Sequence, residues 1–138
     1  MFGKLTILTD PKGKGRPRFT RNGRPYTPAS TRDYERIIRD AYRRQKLPLH
    51  TGGVVVALDF RRAIPASWTK AKQQLAMDGE LECITKPDLD NLIKACMDAL
   101  NGVAWADDKQ VVGLIATKGY AEQASVTIEI KEKDDARD

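Results

Sequence analysis

The sequence predicts an α+β domain, a single compact unit in which a mixed sheet packs against helices. Helical and strand patterns follow one another without strict β-α-β alternation. A chain of 138 residues, 41% of them hydrophobic, is long enough to build one real core. We expect neither a membrane span, which needs ~18 consecutive apolar residues, nor a secretory signal in the first ten residues.

The first half of the chain is expected to hold two strands, a long loop and a helix. Residues 3–9 have the pattern of a short strand, and residues 11–30 are broken by glycine and proline into a loop. Apolar residues at three- and four-residue spacing predict a helix over 31–45, with Ser30 as its N-cap. The run VVVALDF within 53–62 predicts a buried strand.

The second half is expected to hold two helices and two strands. A helix over 68–78 follows a cap at 65–67 and ends at Gly79. A helix over 88–100 carries one apolar stripe. Residues 111–118 and 124–131 are predicted to close the sheet as an antiparallel pair, before a short polar tail at 132–138. The stripe consists of Leu89, Leu92, Ile93, Cys96, Met97 and Leu100.

Positive charge is concentrated in the first third of the chain. Residues 1–50 hold thirteen Lys and Arg against four Asp and Glu, whereas residues 51–138 have a net charge of −4. Localised positive charge attracts phosphate backbones. The alternative is a solvated basic surface without a partner.

The loop at 11–30, here called the basic arm, is the centre of that charge. It contains no acidic residue and carries two aromatic side chains, Phe19 and Tyr26. Cations interleaved with aromatic rings suit a segment that follows a nucleic-acid strand. The alternative is a surface loop whose Phe19 packs into the core. The candidate DNA-binding residues are Lys12, Lys14, Arg16, Arg18, Arg21 and Arg24.

Two acidic pairs flank the predicted helix at 88–100. Asp88 and Asp90 open it, and Asp107 and Asp108 follow it. Mg²⁺ prefers oxygen ligands, so the two pairs could form a metal site if the fold brings the helix start beside the next strand. Lys94, one turn after Asp90, could offset charge on a phosphate.

Each acid also has a purely structural interpretation. Asp88 could be the N-cap of its helix, and Asp90 with Lys94 a surface ion pair. Asp107 and Asp108 could cap the backbone of their own turn.

The remaining chemistry-bearing residues argue against other classes of site. Cys83 and Cys96 form no CxxC pair, so neither zinc nor a disulfide framework is expected, and a cytoplasmic chain with reduced thiols is the simplest interpretation. The single histidine, His50, lies in a connector, where a histidine is more often unremarkable than catalytic. Any mechanism that requires a histidine base would depend on this residue.

The segment KPDLDNLIKACMDALNGVAWADDKQVV resembles the RusA family of Holliday junction resolvases. The matching features are D-L-D-N at 88–91, Lys94, D-A-L at 98–100, Trp105 before the acid pair, and D-D-x-Q-V at 107–111. The segments GRPRFT and YTP of the basic arm resemble phage and prophage members. The resemblance spans most of the chain.

This resemblance implies a RusA-like nuclease domain over residues 1–131, a homodimer that makes paired, symmetric nicks across four-way DNA junctions in recombination and repair. It implies Mg²⁺ as cofactor, with Mn²⁺ as a substitute, and Asp88, Asp90 and Asp108 as metal ligands. It also implies catalytic roles for Lys94 and for the accompanying acid, Asp107. We expect the dimer interface to use apolar surface on helices and edge strands. The alternatives are a less selective flap or fork nuclease and a DNA-binding module without activity.

Overall fold

The computed structural model describes residues 2–15 and 18–133, which form six strands and three α-helices. The predicted site residue Arg16 and most of the predicted tail, 134–138, lie outside the described residues. The elements are β1 (Phe2–Ile7), β2 (Arg18–Phe19), β3 (Pro25–Tyr26), α1 (Ala29–Arg44), β4 (Val54–Ala63), α2 (Lys70–Met77), α3 (Leu89–Leu100), a 3₁₀ turn (Asp108–Gln110), β5 (Val111–Ala121) and β6 (Ser125–Glu132).

The main sheet is mixed, which confirms the predicted fold class. Its strand order is β1-β6-β4-β5, with β4 and β5 parallel and the other pairs antiparallel. The prediction that β5 and β6 pair with each other is wrong, because β4 lies between them. A helical crossover connects β4 to β5, so the two strands run parallel. The short turn after β5 then passes the end of β4, and β6 pairs with the other side of β4. As an inner strand, β6 buries Val126, Ile128 and Ile130.

The core lies between one face of this sheet and helices α1 and α3. The apolar stripe of α3 packs there as predicted, with Leu92, Cys96 and Leu100 fully buried. Alternate residues of β4 face the same core, because side chains along a strand alternate between the two sides of the sheet. Burial raises the pKa of the Cys96 thiol to about 12, consistent with a role in packing alone.

Two helix starts differ from the prediction. Helix α1 begins at Ala29 with Pro28 as N-cap, so Ser30 lies inside the helix. Helix α2 begins at Lys70, because the side chain of Thr69 accepts a hydrogen bond from the Lys72 amide at 3.2 Å and caps it there. None of the described helices is long and apolar enough to cross a membrane.

Candidate functional site

The first turn of α3 borders an open cleft of 460 Å³. Asp88 occupies the N-cap position with exposed Asp90 in the first turn, but the Asp88 carboxylate makes no capping hydrogen bond. Both carboxylates therefore keep oxygen atoms available for another partner. The cleft is lined by Gly13, Lys86, Pro87, Asp88 and Asn91.

Two basic side chains from the ends of β4 and β5 hold the segment that leads into α3. The Lys118 ammonium donates to the carbonyl oxygens of Thr85 at 2.7 Å and Pro87 at 3.1 Å. Arg62 donates to the Thr85 hydroxyl at 3.3 Å and to the Lys86 carbonyl. These contacts fix the start of α3 at the C-terminal ends of the two parallel strands. Neither residue was predicted from the sequence, because a positive charge at the end of an apolar strand was the only feature that marked them.

The basic arm is attached directly beside this turn. The Lys14 amide donates to the Asn91 carbonyl at 3.3 Å, and the Gly15 amide donates to the Thr31 hydroxyl at 3.1 Å. A Cβ atom at Gly13 would clash with the side chain of Asn91. A residue without a side chain therefore allows the arm to lie against α3.

The side chain of Lys14 is engaged inside the protein. Its ammonium lies 2.6 Å from the Glu35 carboxylate and 3.0 Å from that of Asp98, and the side chain is only 21% exposed. Burial by itself lowers the pKa of Lys14, but hydrogen bonds and charge from Glu35 and Asp98 outweigh that effect and raise it above 10.5. Lys14 therefore ties the arm to α1 and α3, a role that its predicted contact with DNA did not anticipate.

Beyond Gly15 the arm projects as a small hairpin of β2 and β3. Phe19 is 67% exposed and Tyr26 46% exposed, so the alternative in which Phe19 packs into the core is wrong. The described cations other than Lys14 are exposed to solvent: Lys12, Arg18, Arg21 and Arg24. The hairpin thus presents both aromatic surface and positive charge.

The two acids after α3 have different local partners. Asp107 caps the 3₁₀ turn by accepting a hydrogen bond from the Lys109 amide at 2.9 Å, within a capping box completed by Gln110. Asp108 accepts at Oδ1 a hydrogen bond of 2.9 Å from Nε1 of Trp105, a fully buried side chain. Asp107 therefore fits the predicted structural alternative, whereas Asp108 is an exposed carboxylate held by a buried donor.

The buried histidine lies beneath this loop. His50 is 1% exposed, and its Nδ1 lies 3.1 Å from Glu132 Oε1. The side-chain amide of Gln110 donates to the His50 carbonyl at 2.9 Å. His50 is part of the packing that supports the loop.

The structure does not bring Asp108 together with Asp88 and Asp90 within the chain. Helix α3 has twelve residues and spans ~18 Å. On β5, Lys118 lies beside the start of α3. Val111, at the other end of the strand, is ~23 Å from Lys118, and Asp108 precedes Val111. Among the described residues, no group of three or more His, Cys, Asp or Glu side chains is placed to hold a metal ion.

The separation follows from the crossover. Because β4 and β5 are parallel, α3 must return from the C-terminal to the N-terminal ends of the strands. The first residues of α3 therefore lie at the C-terminal ends of β4 and β5, and the residues before β5 lie at the N-terminal ends of the same strands. The four acids therefore do not converge in a single chain, because the start of α3 does not lie beside the beginning of the next strand.

Comparisons with known proteins identify relatives over nearly the whole chain. Residues 9–131 match the family model of endodeoxyribonuclease RusA. The chain is also 35% identical over 135 residues to the uncharacterized protein YqaN of Bacillus subtilis strain 168, an alignment that covers 94% of this chain and 95% of that protein.

Proposed function

The chain belongs to the RusA endodeoxyribonuclease family, and from this we propose that it is a Mg²⁺-dependent nuclease that resolves four-way DNA junctions by paired, symmetric nicks. The observation that carries the proposal is the attachment of the basic arm to the acidic first turn of α3, through the hydrogen bond from Lys14 to Asn91. A segment that attracts phosphate is thereby held beside carboxylates that can bind a metal ion. DNA recombination and repair in the cytoplasm is the setting we propose.

The hairpin of the basic arm is the proposed DNA contact. Its exposed cations can pair with backbone phosphates, and each such contact releases counterions. Exposed Phe19 and Tyr26 can stack on bases that are unpaired at a branch point. Lys14 contributes by holding the arm in place, since its ammonium is already paired with Glu35 and Asp98.

Asp88 and Asp90 fit a site for Mg²⁺ or Mn²⁺. In protein sites Mg²⁺ takes one or two carboxylates and keeps positions for water and substrate phosphate. Both carboxylates are exposed, and Asp88 borders an open cleft. When bound there, the metal ion would supply Lewis-acid polarisation of the phosphodiester and an activated water. The protein contributes the rigid helix start, held by Lys118 and Arg62, that positions both carboxylates.

Lys94 is the proposed electrostatic partner of the reacting phosphate. Its side chain is 64% exposed and lies one helical turn from Asp90. The Lys94 ammonium is 3.7 Å from the Asp98 carboxylate, which also binds Lys14. This loose pairing leaves Lys94 free to turn toward DNA, where it would balance charge on the phosphate oxygens.

A homodimer is the simplest assembly for this reaction. Two symmetric nicks on opposing strands require two equivalent active sites, and a two-fold axis provides them. Each protomer would then bring its own basic arm to the junction.

The test is cleavage of an end-labelled immobile four-way junction, a fork and a linear duplex, each with Mg²⁺ and with EDTA. We expect paired nicks in the junction with Mg²⁺ only, and an intact duplex. Equal cutting of all three substrates would support the less selective nuclease instead. Binding of the junction without metal-dependent cutting would support the DNA-binding module.

A further inference from the structure

Helix α1 carries four arginines along one side, here called the arginine stripe. They recur at four-, three- and four-residue spacing, which places them above one another on the helix surface. Three of them are exposed and Arg39 is half-buried, so their guanidinium groups are open to a partner. The stripe consists of Arg32, Arg36, Arg39 and Arg43.

The position of Glu35 shows where the arginine stripe lies on the helix. Successive residues of an α-helix rotate by ~100°, so all four arginines lie ~40–100° from Glu35 in one direction. The buried residues of α1 lie ~20–100° from Glu35 in the other direction. They are Thr31, Tyr34, Ile38 and Tyr42. Glu35 therefore marks the boundary between the core-facing side of α1 and the arginine stripe.

At this boundary the arginine stripe adjoins the surface of the proposed site. Lys14 of the basic arm lies between α1 and α3, 2.6 Å from Glu35 and 3.0 Å from Asp98. Lys94, which is 64% exposed, pairs with the same Asp98 on α3. Positive charge therefore continues from Lys94 across Lys14 to the side of α1 that carries the stripe. Because Lys14 neutralises Glu35, the acid at the boundary does not repel a phosphate.

The arginines of the stripe are weakly paired within the protein. Among the residues that the structure describes, Arg32 and Arg39 form no ion pair with a carboxylate. Arg36 lies 3.1 Å from Asp33, and Arg43 lies 3.9 Å from Asp40. Both pairs are exposed to solvent, where such contacts add little to stability, so each arginine can exchange its carboxylate for a phosphate. A guanidinium group binds phosphate through two parallel hydrogen bonds.

The length and composition of the arginine stripe suit duplex DNA. Arg32 and Arg43 are eleven positions apart, so the stripe is ~16 Å long. One strand of B-DNA rises by ~3.4 Å per base pair, so the stripe matches about five base pairs of backbone. The stripe consists of arginine alone, whereas the hairpin of the basic arm also presents Phe19 and Tyr26, which can stack on unpaired bases. The hairpin therefore suits the branch point, and the stripe suits a duplex arm.

We infer that α1 binds the phosphate backbone of one duplex arm of the junction through the arginine stripe. The inference rests on the proposed function for the choice of a DNA junction as substrate. It concerns binding alone, so it is tested in EDTA, where no metal-dependent cleavage occurs. The alternative is a basic surface that only keeps the protein in solution.

A pair of substitutions tests the contribution of the arginine stripe to binding. Arg32→Gln combined with Arg39→Gln should lower junction affinity about 10-fold and decrease the slope of log affinity against log salt by about 2. The matched control is Arg44→Gln combined with Lys70→Gln, which removes the same charge at exposed positions. Arg44 lies on the opposite side of α1, ~180° from Glu35. An unchanged slope in the stripe variant, or an equal loss in both variants, would overturn the inference.

Cross-linking locates the DNA that α1 contacts. Arg36→Cys provides an exposed thiol for a photoactivated cross-linker, and Arg44→Cys provides the same thiol on the other side of the helix. Both native cysteines are buried. We expect cross-links from Arg36→Cys to map within one duplex arm of the junction and few cross-links from Arg44→Cys. Cross-links confined to the branch point, or equal cross-linking by both variants, would overturn the contact with a duplex arm.

The outcomes separate this inference from the proposed function. Wild-type protein that cuts no junction with Mg²⁺, but whose binding in EDTA depends on the arginine stripe, would overturn the proposed function and support the DNA-binding surface on α1. Normal cleavage by the wild type, together with unchanged binding by the stripe variant, would overturn the arginine stripe alone.

Discussion

The indole nitrogen of Trp105 donates a hydrogen bond of 2.9 Å to Oδ1 of Asp108. The ring is fully buried, whereas the carboxylate is exposed to solvent. The core of the protein thus fixes the direction of an acid at its surface. Asp107, by contrast, accepts only from the backbone of its own turn.

Replacing Trp105 with Phe should therefore affect both stability and cleavage. The variant loses the hydrogen bond and some packing, so its free energy of unfolding should fall by about 2 kcal/mol. Its cleavage rate should fall by about 10- to 100-fold under conditions where it remains folded. The control is Trp68→Phe, which removes a tryptophan that packs edge to face with Tyr120 in a separate cluster. Equal loss of cleavage in both variants would remove Trp105 from the site.

Asp88→Asn and Asp90→Asn should separate binding from cutting. Each variant keeps the shape of the side chain but loses a negative charge, so cleavage should fall to below about one hundredth of the wild-type rate. Junction affinity in EDTA should be unchanged or tighter, because repulsion of phosphate decreases. Gel-shift and cleavage assays measure the two effects, with Asp78→Asn, at the exposed C-cap of α2, as the control. Cleavage at the wild-type rate would contradict a role for either acid.

Neutralising the arm should weaken binding in a salt-dependent way. If Arg18→Gln and Arg21→Gln each remove one phosphate contact, the slope of log affinity against log salt should decrease by about 2 in the double variant. Lys70→Gln, an exposed position on α2, is the control for loss of surface charge. The DNA-binding role of the arm would be disproved by an unchanged slope.

Lys14 should stabilise the fold in a pH-dependent way. Its pKa is raised in the folded state, so the folded protein holds this proton more tightly than the unfolded chain does. The stabilisation is fully present below 10.5 and is lost as pH rises through the raised pKa. Urea unfolding should show that wild type and Lys14→Gln differ in free energy of unfolding by about 2 kcal/mol at pH 8. The difference should shrink as the pH rises above 10.5.

The matched control for Lys14 is Lys12→Gln, a neighbouring exposed lysine. It should change the free energy of unfolding by less than about 0.5 kcal/mol at any pH. A constant difference between wild type and Lys14→Gln across this range would contradict the ion-pair explanation.

Gly13→Ala should disturb the anchor of the arm. The added Cβ would clash with the side chain of Asn91, so the arm must move away from the first turn of α3. We expect lower cleavage and a modest loss of stability, of about 1 kcal/mol. Gly52→Ala is the control, since nothing lies within 4 Å of a Cβ at that position. Normal cleavage by Gly13→Ala would show that the position of the arm does not matter.

The sequence was sufficient for properties that depend on neighbours along the chain. The alternation of β4 and the stripe of α3 reveal their buried faces, because helix and strand periods act within a few residues. The α+β class and the family resemblance were predicted correctly on this basis. Local pattern also located the acidic motif, but the errors at Ser30 and at the start of α2 show how hydrogen bonds of single residues move a boundary.

Contacts between residues that are distant along the chain depend on the tertiary structure. The order of the strands depends on how the crossover packs against the whole sheet, and no local pattern contains that information. The basic arm, the apolar faces and the candidate acids Asp88, Asp90 and Asp108 could be identified from local sequence alone. Three features depend on the fold. Lys14 links the arm to α1 and α3 through ion pairs, and Trp105 orients Asp108 through a hydrogen bond. The two acidic pairs lie at opposite ends of the parallel strands. Burial and strand pairing depend on the chain as a whole, whereas the period of a helix or strand depends only on residues a few positions apart.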